Sequence, residues 1–194
     1  CRGCPLLEKM CYAQRGIVNY FGFRKIQERA KQGKDYSLRN ALLNRNDKAK
    51  FVRFGGIGDP SAINKSVYTK HENLIRRLGM GVISYTHFWK SRGAHLKGKA
   101  LASCDTMPEA EDAVNAGWRA AVHVQELEKP QGKTESGSTY TLCPAQRGLK
   151  TLGKAQVKRA NLNYDARYKG ITCNDCGLCD SKRKGLDILV FLNH

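Results

Sequence analysis

Three cysteines stand within seven residues, Cys173-Asn-Asp-Cys176-Gly-Leu-Cys179, and a fourth lies upstream in Cys143-Pro144; no other feature constrains this chain as much. The C-x2-C-x2-C spacing lets successive turns of one loop aim three sulfurs inward, and the remote Cys-Pro supplies a fourth. Without a shared ion, three thiols would crowd together for no structural gain. The spacing has the ligand grammar of a ferredoxin-type iron–sulfur site with its elements in reversed order. Four thiolates also suit structural zinc, but zinc ribbons usually draw two C-x2-C knuckles from separate hairpins, and here three ligands share one knuckle. The residues therefore favour iron–sulfur, with zinc and then free thiols as the alternatives.

A second group opens the chain: Cys1-Arg-Gly-Cys4-Pro, then Cys11-Tyr-Ala. Three protein ligands would leave one iron of a four-iron cluster open to a substrate or cofactor, which is the mark of a reactive site. A two-cysteine zinc knuckle or buried thiols are the plainer reading. Cys104 stands alone in Ala-Ser-Cys-Asp and reads as a small apolar core residue. Disulfides are the other use of eight cysteines, but no signal peptide or long apolar run accompanies them and their spacing suits metal. A reducing cytoplasm is the expected setting. Because the chain begins at Cys1, inside a motif, a preceding native segment is also expected.

A length of 194 residues with 41% hydrophobic content suits one domain with a sizeable core. Lys and Arg number 34 against 17 Asp and Glu, a formal charge of +17. An excess of that size points to a polyanion, nucleic acid above all, since basic side chains displace its condensed counterions. Two segments carry much of it. One runs over 24–50, with Arg24, Lys25, Arg29, Lys48 and Lys50 among its members; the other runs over 147–184, with Arg147, Lys158, Arg159, Lys182 and Arg183. A solvated basic face that keeps the chain soluble or meets an acidic protein is the alternative. No segment is apolar enough to predict a membrane partner.

Between the cysteine groups the pattern alternates. A charged helical segment over 21–47 precedes a strand at Phe51-Val-Arg-Phe54, which stops at Gly55-Gly-Ile-Gly-Asp59-Pro60. Further strands are expected over 81–85, 99–103, 120–124 and 186–192, with helices over 64–79 and 107–116 and a loop or hairpin over 129–140. Strand–helix–strand units of this length favour parallel pairing through right-handed crossovers. The expected architecture is one α/β domain over 1–194, a partial β/α barrel or an open sheet, with 143–185 as a cysteine-rich metal-binding segment. Ligands gather at the C-terminal ends of such strands, where Gly56, Asp59, Thr86, His87, Ser103, Asp105, His123 and Gln125 fall. Helix capping is the competing role for Asp59 and Asp105.

Taken in order, Cys4-Pro5 and Cys11-Tyr12-Ala13, Phe54-Gly-Gly-Ile-Gly-Asp59-Pro60, Tyr85-Thr-His-Phe-Trp89, Ala102-Ser-Cys-Asp-Thr106, Cys143-Pro144 and the knuckle resemble radical SAM-like iron–sulfur proteins carried by bacteriophages, a group of unassigned function. The resemblance implies a partial β/α barrel and a 4Fe-4S cluster on Cys1, Cys4 and Cys11. It also implies S-adenosylmethionine on the open iron, approached by Gly55, Gly56 and Asp59, and a second, auxiliary cluster near the C-terminus. The implied reaction reduces S-adenosylmethionine to a deoxyadenosyl radical that abstracts hydrogen from a substrate, in the host cytoplasm if the chain is phage-encoded. One departure stands out: the first cysteines are spaced C-x2-C-x6-C, whereas the usual ligand loop of that family is C-x3-C-x2-C. A non-enzymatic zinc or iron–sulfur nucleic-acid-binding protein, or a degenerate scaffold serving as an adaptor, are the competing classes. No Walker-type phosphate loop or zinc-deaminase signature is present, and no residue pattern singles out a catalytic side chain.

Overall fold

A computed structural model describes residues 24, 25, 28, 29, 31–33, 42, 48–55, 58–148 and 165–192. Cys1, Cys4, Cys11 and Gly56, and most of the segment 21–47, lie outside them.

The described chain is a mixed α/β domain. Strand β1 (Phe51–Arg53) leads through helix α1 (Lys65–Arg77) to β2 (Gly81–Ile83) and β3 (Tyr85–Thr86). Strand β4 (Leu101–Cys104), helix α2 (Met107–Asn115) and β5 (Ala120–Val124) follow. After them come a hairpin of β6 (Gln131–Lys133) and β7 (Thr139–Leu142), the short helices α3 (Pro144–Arg147) and α4 (Cys173–Cys176), and finally β8 (Ile188–Leu192). The main sheet runs β3-β4-β5-β8-β7-β6, and β1 pairs with β2 beside it. All these pairings are parallel except that of β6 with β7. Among the described residues the main sheet does not close into a barrel; β3 and β6 end it as edges.

β2 and β3 are one extended run that changes partner at Ser84. Val82 pairs with Val52 on one side, whereas the Ser84 carbonyl accepts from the Leu101 N–H at 2.9 Å on the other. The strand expected over 81–85 is thereby divided. Helix α1 starts at the Asn64 cap, whose side-chain oxygen accepts from the Ser66 N–H, and α2 starts at Thr106, which accepts from Glu109. No described helix is long and apolar enough to cross a membrane.

The two faces of the sheet differ. Ala102, Cys104, Ala120, Val122, Ile188 and Val190 point to the helices and meet Ala110 and Ala113 of α2. Small side chains on both surfaces let helix and sheet approach closely, and Tyr68, Trp89 and Trp118 fill the remaining volume. Cys104 is 1% exposed, a core residue as expected. The other face presents Leu101, Ala121 and Leu189, packed with Ile83, Leu186 and Cys179. That second face carries the cysteine site.

Candidate metal centre

Strand β7 ends at Leu142, and the next residue delivers the first sulfur. The Cys143 N–H donates to the Val190 carbonyl at 2.8 Å, which extends the β7–β8 ladder by one bond, and Pro144 then turns the chain into α3. Proline suits that first helical position because its missing N–H would have no partner there. The Gln146 N–H donates to the Cys143 carbonyl at 2.9 Å, and it and the Ala145 N–H also favour the Cys143 thiolate.

The other three cysteines come from the knuckle. Thr172 and Asp175 bracket the start of α4: the Asp175 carboxylate accepts from the Thr172 N–H at 3.0 Å and its hydroxyl at 2.6 Å. Gly177 ends the turn at φ +64°, a left-handed conformation that favours glycine, and the ring of Phe51 sits where a β-carbon would go. The chain then dips to bring Cys179 below the surface. Cys173 is exposed, Cys143 and Cys176 are half-buried, and Cys179 is buried.

Long-range polar bonds hold this knuckle against the sheet. Arg119, just before β5, donates to the Leu178 carbonyl at 2.9 Å, the Asp180 carbonyl at 2.5 Å and the Leu186 carbonyl at 2.8 Å. Asp180 receives both terminal nitrogens of Arg76, at 2.6 and 2.7 Å, and also the Val82 N–H at 3.2 Å. Asn174 accepts from the Lys50 N–H at 3.1 Å and donates to the Lys48 carbonyl at 3.3 Å. Strand β1, helix α1, strand β2 and the entry to β5 are thus each tied to the cysteine loop.

Cys143, Cys173, Cys176 and Cys179 line one narrow, largely apolar cavity with Ile83, Leu178 and Leu189. Its volume of about 10 Å³ has room for roughly one water. A single ion held by metal–sulfur bonds near 2.3 Å needs no more room than that. Among the described residues no group of three or more His, Cys, Asp or Glu is arranged to hold a single metal ion.

Burial pushes the thiols of Cys143, Cys176 and Cys179 up, that of Cys179 to about 12, and each is raised further by neighbouring cysteines of the set. Backbone N–H groups oppose the rise at Cys143 and at Cys176, where Leu178 donates, and the Tyr85 hydroxyl opposes it at Cys179. Donors aimed at sulfur favour the thiolate, the form that binds metal.

The strand-end residues take other parts. Asp59 accepts from the Ser61 N–H and the Thr86 hydroxyl through one oxygen, both at 2.8 Å, and from the His87 N–H through the other at 2.9 Å. It caps the turn at Pro60–Ala62 and clamps the end of β3, so capping accounts for it. Gly55 has φ +69°, and a β-carbon there would lie 2.9 Å from the Gly58 carbonyl oxygen, so a tight turn accounts for that glycine. Asp105 does not cap α2: Thr106 does, and Glu109 reaches back to the Asp105 N–H at 3.0 Å. The ends of β3 and β4 meet where Ser103 Oγ lies 3.0 Å from His87 Nε2. Strand register carries that pair onto the cysteine-bearing face, since Ser103 aligns with Ala121 and Ala121 with the cavity residue Leu189. Two strand spacings, about 10 Å, separate Ser103 from Leu189.

No protein family, curated protein or solved structure matches the chain.

Proposed function

We propose that this is an iron–sulfur protein in which Cys143, Cys173, Cys176 and Cys179 hold one cluster against the open face of the sheet. One observation carries the reading: four cysteines from two segments about thirty residues apart line a single cavity whose walls are otherwise apolar. Zinc shares the donor set. A cluster of several irons spreads its thiolates around a volume, whereas tetrahedral zinc with 2.3 Å bonds draws four sulfurs to about 3.8 Å of one another. The C-x2-C-x2-C spacing, with three ligands in one knuckle, favours the cluster.

When bound, such a cluster supplies one-electron transfer. The chain's own residues would tune it: Ala145, Gln146 and Leu178 through N–H groups that favour the thiolate, Tyr85 by its hydroxyl beside Cys179, and Ile83 and Leu189 by excluding water. In the radical SAM-like reading this is the auxiliary cluster, Cys1, Cys4 and Cys11 carry the catalytic one, and the parallel sheet is part of a β/α barrel. Nucleic acid is the proposed polyanion partner. Asp59 favours a second reading. Its carboxylate is engaged by Ser61, Thr86 and His87, which leaves it poorly suited to receive the ammonium of S-adenosylmethionine. A non-enzymatic, metal-structured nucleic-acid-binding protein needs no such contact.

Iron, sulfide and zinc analysis of anaerobically purified protein separates these readings. About four irons and four sulfides per chain support the single cluster and about twice that supports two, whereas one zinc with no sulfide overturns the iron–sulfur assignment. Deoxyadenosine formation from S-adenosylmethionine and dithionite then decides whether the chain is an enzyme.

A further inference from the structure

We propose that a cleft on the outer side of the cysteine knuckle binds the phosphate groups of a nucleotide or nucleic-acid strand; this rests on the polyanion partner proposed above and gives it a site. The cleft, of about 650 Å³, lies between the first residues of β1 and β2 and the segment 174–183. That volume falls within the usual range of ligand sites. Phe51 forms the floor, its ring lying against Gly81 and Gly177, where a side chain on either glycine would collide with it. Lys50 stands on one wall, with Lys182 and Arg183 on the other.

The charges around it do not cancel. Arg76 and Asp180 neutralise each other through their paired bonds, and the Asp175 carboxylate, though held by Thr172, keeps its charge, which leaves three cations against one anion. The side chains of Lys50, Lys182 and Arg183 are exposed, and none forms an ion pair among the described residues. Three cations around one concavity repel one another, and an anion that enters relieves the repulsion while releasing its own counterions.

This is a built arrangement and not a meeting of loose side chains. Asn174 fixes the backbone at Lys48 and Lys50, while Asp180 receives the Lys182 N–H on its carboxylate at 3.0 Å and the Arg183 N–H on its carbonyl at 2.9 Å. Lys50 from one basic segment and Lys182 and Arg183 from the other, remote in sequence, thereby face each other. Cys176 and Gly177 belong to both this cleft and the thiol cavity, so a bound phosphate chain passes one residue's thickness from the metal centre.

The test measures binding of a fluorescein-labelled single-stranded 20-mer, and separately of adenosine monophosphate and inorganic phosphate, to the whole chain across a salt series. Lys50→Ala/Lys182→Ala/Arg183→Ala should weaken 20-mer binding about tenfold or more and reduce the log–log salt slope by about 2, at about 0.7 per phosphate contact on a single strand. Lys65→Ala/Lys70→Ala/Lys133→Ala removes the same charge from exposed positions elsewhere and should change affinity less than about threefold. Lys182→Glu/Arg183→Glu, which leaves β1 intact, should act in the same direction as the first variant. Equal losses in the two triple variants mean that net charge alone is at work and overturn the cleft, as does wild-type affinity in the first variant. If the wild-type chain binds no 20-mer, the nucleic-acid reading fails, and cleft-dependent binding of the monophosphate then keeps the site with a free nucleotide as its ligand. Binding of none of the three probes overturns both. Metal content of each variant, expected to match wild type, reports on the cluster independently.

Discussion

The unit β4–α2–β5 and the cysteine loop around 172–187 lie side by side, yet they are held by different forces. In the first, alanines of strand and helix interlock and residues such as Leu101, Ala113 and Val122 are 0% exposed, so apolar burial suffices. In the second, the loop contributes only Cys179 and Leu186 to a buried apolar cluster, and its anchors are the forks of Arg119 and Arg76 and the amide of Asn174. A short loop with so little core needs cross-links, and the metal ligation proposed above would supply them. The first region should therefore outlast the second when either metal or a polar anchor is removed.

The largest effect is expected from Cys176→Ser. Losing one thiolate of four should lower bound metal by more than about tenfold and raise hydrogen exchange over 172–187, while the amides of β4 and β5 stay protected. Chelation of the wild-type chain should give the same map. Uniform loss of protection would show that the two regions are one cooperative unit. Next comes Arg119→Ala. It strips a charged donor from the carbonyls of Leu178, Asp180 and Leu186 and should cost about 3 kcal/mol in urea unfolding, since bonds to a charged group contribute about 1.5–3 kcal/mol each, these are only part-buried, and they do not add fully. Arg119→Lys should recover little of it, because one ammonium cannot span carbonyls that a planar fork reaches. A smaller loss, about 1 kcal/mol, is expected for Thr106→Ala, which removes the α2 cap in the apolar region. Metal content should be unchanged there, and a fall in it would contradict the separation of the two regions.

What the sequence disclosed follows the same division. Local patterns were readable: Ala120–Val124 is a strand with the expected bounds, and α1 and α2 fall within two residues of their expected ends. Cys143, Cys173, Cys176 and Cys179 were expected to come together because their spacing is a local pattern, and they line one cavity. Strand β7 was expected only as part of a hairpin, since Thr139–Leu142 follows a Ser- and Gly-rich stretch and carries one buried residue; its parallel pairing with β8 is set by tertiary contact. Arg119, Arg76 and Asp180 gave no signal. Their partners are mostly backbone groups or lie about a hundred residues away, and no spacing rule encodes such bonds. The +17 charge indicated the sign of a partner, but the meeting of Lys50 with Lys182 and Arg183 around one cleft required the fold.

Cys104 allows the finest comparison, because it is the one described cysteine that belongs to the apolar region. Burial pushes its thiol from an ordinary value of 9.0 up to about 12, with Glu109 adding to the shift, and its Sγ lies 3.7 Å from the Ala102 carbonyl oxygen. A raised folded-state value means that the native chain holds this proton where the unfolded chain releases it. Stability from Cys104 is therefore fully present below pH 9 and is lost as pH rises from about 9 to about 12. At pH 7 none of it is lost. Tyr68, also raised by burial to about 12, adds to the alkaline loss, so the readout is the difference between wild type and Cys104→Ala. Urea midpoints of the two should fall with different slopes above pH 9, the variant's being shallower. Native Cys104 should also resist iodoacetamide at pH 8, while metal-free Cys173, which is exposed, is alkylated. Parallel slopes, together with equal labelling of Cys104 and Cys173, would mean that the core beside α2 opens as readily as the cysteine loop.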